Sequence, residues 1–348
     1  MRQVARENGA GRQATGVAAA GSSERLRRGR YGRRVSTPAF DTVIAQARDL
    51  LRWRSPLRTE LWAARLTAEL QESGQAEPFL RRLREDGGQE ALLTLAALAA
   101  VGGAEGPDAA RALPGWVHRM GRVTCEGGWY GKADPYGEQV LAVLSFRYEN
   151  GKEPHILVVG LGQPQGGLAV DALVEETTFL DDLGLRPAEP GVAAGRILDA
   201  FELGDQIMGA AVAGTLPGVR PLATARALTV PGLVRGAPDD TVARFEEVPD
   251  LPGAREAFGK LAEFLGDRPL WWSPARVSQF LTSWLPREAI LSEAAIEAMP
   301  EVVRAWTRYC GDQPAVLRQI DEDAPRLPAL MADESLAGLG KRLALRRA

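Results

Sequence analysis

Histidine, cysteine and lysine are scarce in this chain: two, two and four of 348 residues. Each scarcity excludes a kind of chemistry. His118, His155, Cys125 and Cys310 lack the close spacing of a zinc site, so no structural zinc is expected. Two cysteines far apart in sequence leave one disulfide open, but reduced thiols in an intracellular protein are the expectation. A Gly-x-x-x-x-Gly-Lys-Ser/Thr loop is missing, which removes the P-loop nucleotide hydrolases. No apolar run nears the roughly 18–20 residues that cross a bilayer. Residues 1–36 contain no apolar stretch of the secretory-signal kind. The formal net charge is −3, which gives no global attraction to nucleic acid or anionic membrane.

What is present is an ordinary globular composition in a chain long enough for two packed units and an irregular end. Arginine outnumbers lysine 38 to four, with abundant Ala and Gly, a bias that points to a high-GC bacterial genome and hence a bacterial cytoplasm. Nine arginines and two glutamates give residues 1–36 a charge of +7, with almost no apolar periodicity. Such a segment buries too little surface to offset its ordering entropy, so it reads as a disordered basic arm. It is either a solvated tail, an arm that touches nucleic acid or a membrane surface, or sequence upstream of a true start near Val35.

Apolar periodicity of three and four residues runs through 37–120, a helical module. Val43, Ala47, Leu50 and Leu51 mark one helix, and Ser55-Pro56 starts the next, with Trp62, Leu66 and Leu70 along it. Ala91–Val101 is apolar nearly all round and should be the central buried helix, followed by a further helix over 108–120. No fixed repeat period appears, so no solenoid family is supported.

Residues 121–185 form an antiparallel β-region of three or four strands. A short first strand ends at Gly127-Gly128. From Val140 the alternation is clean: Val140, Ala142, Leu144, Phe146 and Tyr148 on one face, Leu141, Val143 and Ser145 on the other. Asn150-Gly151 suits a two-residue type I′ turn. Ile156–Leu161 reads as a strand buried on both faces, and Leu168–Val174 as the next. Residues 186–250 are an irregular helical connection, with one helix over Val192–Ala213 and only short helices among the prolines of 217–238. Residues 251–325 are a C-terminal helical unit, in which Pro286 ends one helix, and 326–348 are a basic tail. The fold class expected is α+β, mostly α.

The candidate chemistry lies in the β-region. Asp134 and Glu138 flank a Pro-Tyr-Gly turn, and Asp171 sits on a strand beside them. Three carboxylates suit a divalent cation or shared acid/base work; the plainer alternative is Asp134 capping its turn and Asp171 pairing with an arginine. The glycine loop Gly160–Gly167 fails Gly-x-Gly-x-x-Gly because Gln165 replaces the third glycine, and no helix follows to hold a pyrophosphate. His155 has Ser145 and Asp171 in reach of neighbouring strands, but no sharp serine turn surrounds Ser145. Asp181-Asp182 lacks the spacing of a prenyl-diphosphate motif. Trp271, Trp272, Trp284 and Trp306 have the helical spacing of core residues. No cofactor is expected.

Asp134–Gln139, the two strands after it and Gly166–Ala172 resemble an uncharacterised group of actinobacterial proteins with no assigned function. Phe280–Cys310, with Trp284-Leu285-Pro286-Arg287 and Met299–Trp306, is similar to the C-terminal block of the same group. The resemblance covers about a third of the chain and implies an architecture and a bacterial source, but no activity. It also implies an altered site at Gly162-Gln163-Pro164, where members carry Asp-His-Asn. Two readings result. The first is a non-enzymatic intracellular interaction or scaffold protein, its partner another protein, or nucleic acid through the basic arm, and not a membrane. The second is a divalent-metal-dependent hydrolase or nuclease using Asp134, Glu138 and Asp171. Oligomeric state is open.

Overall fold

The computed structural model describes residues 39–105, 112–311 and 313–346; the basic arm of 1–36 lies outside them. The fold is α+β and mostly α. Four helices open it: α1 (Phe40–Trp53), α2 (Pro56–Ser73), α3 (Ala76–Asp86) and α4 (Gln89–Ala100). Their limits are set locally. Arg54, Gly74 and Gly87 end the first three in the left-handed conformation. Ser55 Oγ accepts the Arg58 N–H at 3.1 Å, ahead of Pro56 in the first turn of α2. The apolar α4 packs against the other three, as its composition requires. The described part of the helix expected over 108–120 is only a 3₁₀ turn, Val117–Arg119, because Pro114-Gly115 breaks the run.

One antiparallel sheet follows, with five strands in the order β4-β3-β2-β1-β5: β1 (Val123–Lys132), β2 (Gln139–Tyr148), β3 (His155–Gly162), β4 (Leu168–Glu175) and β5 (Arg186–Ala188). The alternation along β2 and β3 sorts their side chains. Ala142, Leu144, Phe146, Leu157, Val159 and Leu161 face the helices α5 (Pro190–Gln206) and α6 (Leu216–Leu228). Val143, Ile156 and Val158 face away, under the 3₁₀ segment Thr177–Leu183.

Three features of the sheet depart from the sequence reading. β1 does not stop at Gly127-Gly128 but runs through them, since a side chain at Gly127 would meet the Trp129 ring at 2.5 Å. β5 is a three-residue edge strand whose Pro187 hides it from pattern reading. The β2–β3 connection spans 149–154 rather than two residues; Asn150 does not take positive φ, whereas Gly151 and Glu153 do. Glu153 is drawn out of the turn by a hydrogen bond from Ser55 Oγ.

Proline misleads twice more. α6 contains both Pro217 and Pro221, near enough to its start that few backbone donors are lost. Pro286 does not end its helix: α8 (Pro274–Gln279) continues through a π-turn, Phe280–Trp284, into α9 (Leu285–Glu288). The wider turn lets the Leu285 N–H reach Phe280 O and absorbs the missing proline donor. Around these pack α7 (Ala254–Leu265), α10 (Glu293–Tyr309) and α11 (Pro314–Asp323), with Trp272 and Trp306 fully buried between them. The expected tail carries two short helices, α12 (Leu327–Ala332) and α13 (Leu339–Leu345).

α5 carries Gly191 and Gly195 one turn apart, and the backbone of 232–235 crosses directly over them. A side chain at Gly195 would lie 1.7 Å from Val234 O, while the Val234 N–H donates to Gly191 O at 3.1 Å. Gly195→Ala is expected to destabilise the protein by about 3 kcal/mol. Gly204→Ala in the same helix meets nothing within 4 Å and should be neutral or stabilising by about 0.5 kcal/mol. Urea unfolding of both variants checks this; equal effects would mean the crossing is not tight.

Candidate functional site

Asp134 follows β1 and its carboxylate is used by the backbone around it. Oδ1 accepts the N–H groups of Tyr136 at 2.8 Å and Glu138 at 3.2 Å, and Oδ2 that of Gln139 at 2.7 Å. Proline at 135 and glycine at 137, with φ +64°, complete the turn. The turn is then held by the C-terminal unit: the Trp272 N–H donates to Tyr136 O at 2.8 Å, and Gln313 Nε2 donates to Pro135 O. Asp171 on β4 is engaged elsewhere, its Oδ1 accepting from the Ala172 N–H at 2.8 Å and from the Thr215 hydroxyl. Glu138 contributes its backbone carbonyl, which accepts the Gln163 N–H at 2.8 Å. Among the described residues no group of three or more His, Cys, Asp and Glu side chains is placed to hold a metal ion, so Asp134, Glu138 and Asp171 do not form one. The Asp134 carboxylate serves the backbone of its own turn and that of Asp171 serves Ala172 and Thr215, so these two are engaged in different segments.

The glycine loop is closed as well. Gln163 is buried, and its carbonyl accepts from Arg268 Nη1 at 3.0 Å. Gly166 and Gly167 turn with φ near +90° into β4, not into a helix.

The polar centre of the molecule joins residues far apart in sequence: Glu60 of α2, Tyr148 of β2, His155 of β3 and Arg226 of α6, all buried. Glu60 Oε2 accepts from Arg226 Nη2 and from the Tyr148 hydroxyl, and Oε1 accepts the Gly121 N–H at 2.5 Å. Arg226 Nη2 also donates to the Tyr148 oxygen at 3.0 Å. Arg226 Nε faces His155 Nε2 at 3.5 Å, while His155 Nδ1 lies 2.8 Å from Glu153 O. That pattern fixes the tautomer: Nδ1 carries the proton and Nε2 accepts. Burial, with Arg226 adding its repulsion, lowers the His155 pKa to about 4. Burial, then Glu60, raises that of Tyr148. Neither ring is poised as a base near neutrality. Glu60 and Arg226 escaped the sequence reading, but each sits among apolar neighbours at helical spacing: Ala63, Ala64 and Leu66 for one, Leu222, Ala223 and Ala227 for the other. Opposite charges on two apolar stripes were the available signal.

Two concavities border this framework. A polar one of about 440 Å³ lies between β1, β5 and the end of α10. In it Lys132 Nζ donates to Cys310 O at 2.8 Å, and burial lowers its pKa. Burial pushes the Cys310 thiol up to about 12, with Lys132 and Arg186 opposing, and the Tyr130 hydroxyl likewise to about 12 under the Arg196 guanidinium. A protonated thiol and phenol are weak nucleophiles. Arg196 of α5 lies over Tyr130 of β1 and also pairs with Asp239 at 3.6 Å, which makes this a joint between the sheet, α5 and the loop at 237–241.

The second is a cleft of about 790 Å³ between α2, α5, α6 and β4, lined mostly by apolar residues with Thr67, Gln71, Glu72, Asp205, Arg220 and Thr224 among them. Phe201, Ile207, Val212, Leu216 and Leu228 line it. The segment 207–213, read from sequence as the end of α5, leaves the helix at Gln206 and forms part of the cleft wall. Its return is fixed by the Ala213 N–H donating to Val170 O at 2.7 Å, which covers part of the β4 edge. Met208 in that segment is 97% exposed and Leu228 is 61% exposed. Among the described residues no helix is long and apolar enough to cross a membrane. No protein family matches the sequence, and no curated protein or solved structure is similar to it.

Two outcomes test the buried centre. Arg226→Met should destabilise by about 3–5 kcal/mol, because Glu60 is left charged and buried. Adding Glu60→Gln should restore much of this, since glutamine keeps an acceptor for the Gly121 N–H; a double variant no more stable than the single would refute an ionic pair. His155 binds a proton in the unfolded chain below its ordinary value of 6.5 but in the folded chain only below about 4. Stability is therefore complete above pH ~6.5 and falls between 6.5 and 4 by about 3 kcal/mol. Urea midpoints across this range should show a steeper slope for the native chain than for His155→Gln.

Proposed function

We propose that this protein is a non-enzymatic interaction protein, and that the cleft between α2, α5 and α6 receives an apolar segment of a protein partner. The carrying observation is the conjunction of the cleft with Ile207, Val212 and Leu228, large apolar side chains left in solvent around one concave surface. Scattered exposed leucines are normal, whereas several gathered at a cleft mark a binding surface. The charges that line the cleft are few: Glu72 and the bidentate Asp205–Arg220 pair, with bonds of 2.7 and 2.6 Å. A fixed pair at the edge orients a partner without opposing apolar burial.

The chemical groups support the same reading. Asp134, Asp171, Glu60 and His155 spend their polar atoms on the fold. Both cysteines are free thiols, which supports a reducing compartment such as the bacterial cytoplasm.

Leu228→Asp and Val212→Asp place charge in the cleft at exposed positions outside the core, so stability should move by no more than about 0.5 kcal/mol. A protein retained from host extract by the native chain should be bound at least tenfold more weakly by either variant. Retention that is equal on native and variant chains would sink the assignment. Light scattering of the purified chain shows whether the partner is a second copy.

A further inference from the structure

The face formed by the end of α1, the start of α2 and the β2–β3 connection is distinct from the apolar cleft and differs from it in chemistry. It holds an open concavity of about 1230 Å³ and, sharing Trp53, Ser55 and Glu153 with it, a shallower groove of about 610 Å³. Arg48, Arg52, Arg54, Arg58, Arg65, Arg119 and Lys152 line the two, against Asp49, Glu90 and Glu153. The local charge is +4. With the +7 of residues 1–36 set aside too, the rest of the chain carries −14. Basic charge is thus concentrated on one side of an acidic body.

The three carboxylates on this face are already engaged. Glu90 pairs with Arg48 at 2.9 Å, Asp49 with Arg52 at 3.4 Å, and Glu153 accepts from Ser55 Oγ. Among the described residues, Arg54, Arg58, Arg65, Arg119 and Lys152 form no ion pair with a carboxylate. Arg119 Nε and Trp116 Nε1, which also border the larger concavity, have no hydrogen-bond partner there.

Aromatic rings are interleaved with these cations. Trp53 is 60% exposed although the Arg58 guanidinium lies 3.3 Å from its ring centre. Trp62 is half-buried in the same groove, its Nε1–H donating to Gln46 Oε1 at 2.7 Å. An exposed indole braced by a guanidinium offers a platform on which a planar base stacks, with cations around it for phosphates. Both non-glycine residues with positive φ among the described residues, Arg54 (+55°) and Glu153 (+49°), lie on this face. Arg54 thereby closes α1 and Glu153 the hairpin, and the Ser55 bond ties them into one rigid rim.

We propose that this face binds single-stranded nucleic acid, with Trp53 stacking on a base and Arg54, Arg58, Arg65, Arg119 and Lys152 contacting phosphates. An anionic membrane would use the charge but leave the braced indole unexplained, and a duplex presents no free base to it.

The test is fluorescence anisotropy of a labelled 15-nucleotide single strand, as RNA and as DNA, with the full-length chain. Binding should weaken with salt at a log–log slope of about −3.5, the value for five phosphate contacts on a single strand. Trp53→Ala should weaken binding about tenfold at unchanged salt slope. Arg54→Gln with Lys152→Gln should reduce the slope by about 1.4. RNA and DNA arms decide which strand is preferred. No binding, binding untouched by Trp53→Ala, equal affinity for duplex, or binding to anionic vesicles but not to the strand would each overturn the proposal. Because residues 1–36 are present throughout, affinity due to the basic arm alone appears as the second of these outcomes. Circular dichroism and the thermal midpoint of each variant guard against unfolding.

Discussion

The Glu60–Arg226 ion pair is the constraint around which the rest of the molecule is arranged. It joins α2 to α6 across 166 residues of sequence, and it does so with both side chains withdrawn from water. Two buried charges cost several kcal/mol each in lost hydration, and their attraction offsets this only when their remaining valences are met. Here they are. Tyr148 and the Gly121 N–H take the other positions on the carboxylate, and His155 and Tyr148 take those on the guanidinium. Leaving out α2 or α6 would strand a charge and leaving out the sheet would remove its hydrogen-bond partners, so the N-terminal helices, the sheet and α6 are placed together.

A second joint works by a different means. The turn after β1 exposes the carbonyls of Pro135 and Tyr136, and these are captured by Gln313 and by the backbone of Trp272. Asp134 makes this possible by collecting three N–H groups that would otherwise compete for partners. Side-chain charge is used at one junction to hold helices, and at the other to shape backbone that then holds helices. In both, the ionisable groups are consumed by architecture, and this is why the conspicuous carboxylates Asp134 and Asp171 are not the groups that line the open surfaces.

What the sequence disclosed follows from the range of the interactions involved. β2 and β3 were legible because alternation is local and one face of each is unambiguous; Ser55-Pro56 was legible because a helix start depends on adjacent residues. Glycine and proline were read too simply. At Gly127-Gly128 glycine permits a strand to pass under Trp129, and at Pro286 a π-turn absorbs the proline where a break was expected. Asp134 was visible as a turn residue, yet whether its oxygens were free was not, since the answer depends on the path of five following residues. The buried pair showed only as one charge on each of two apolar stripes, and that the two meet depends on the same kind of path at longer range.

The distribution of charge then has a physical logic. At the buried centre Glu60 and Arg226 match one another, because the cost of an unmatched charge there is a large fraction of total stability. On the surface, a mismatch is cheap, and unpaired arginines survive there without harming the fold. Cations gathered around Trp53, on a body that is otherwise acidic, repel one another and gain nothing for folding by their proximity. Segregation of charge on this scale is maintained against a modest electrostatic penalty. That penalty is relieved when an anion with several regularly spaced charges settles across the face, which is the property that distinguishes a polymer of phosphates from a single small anion.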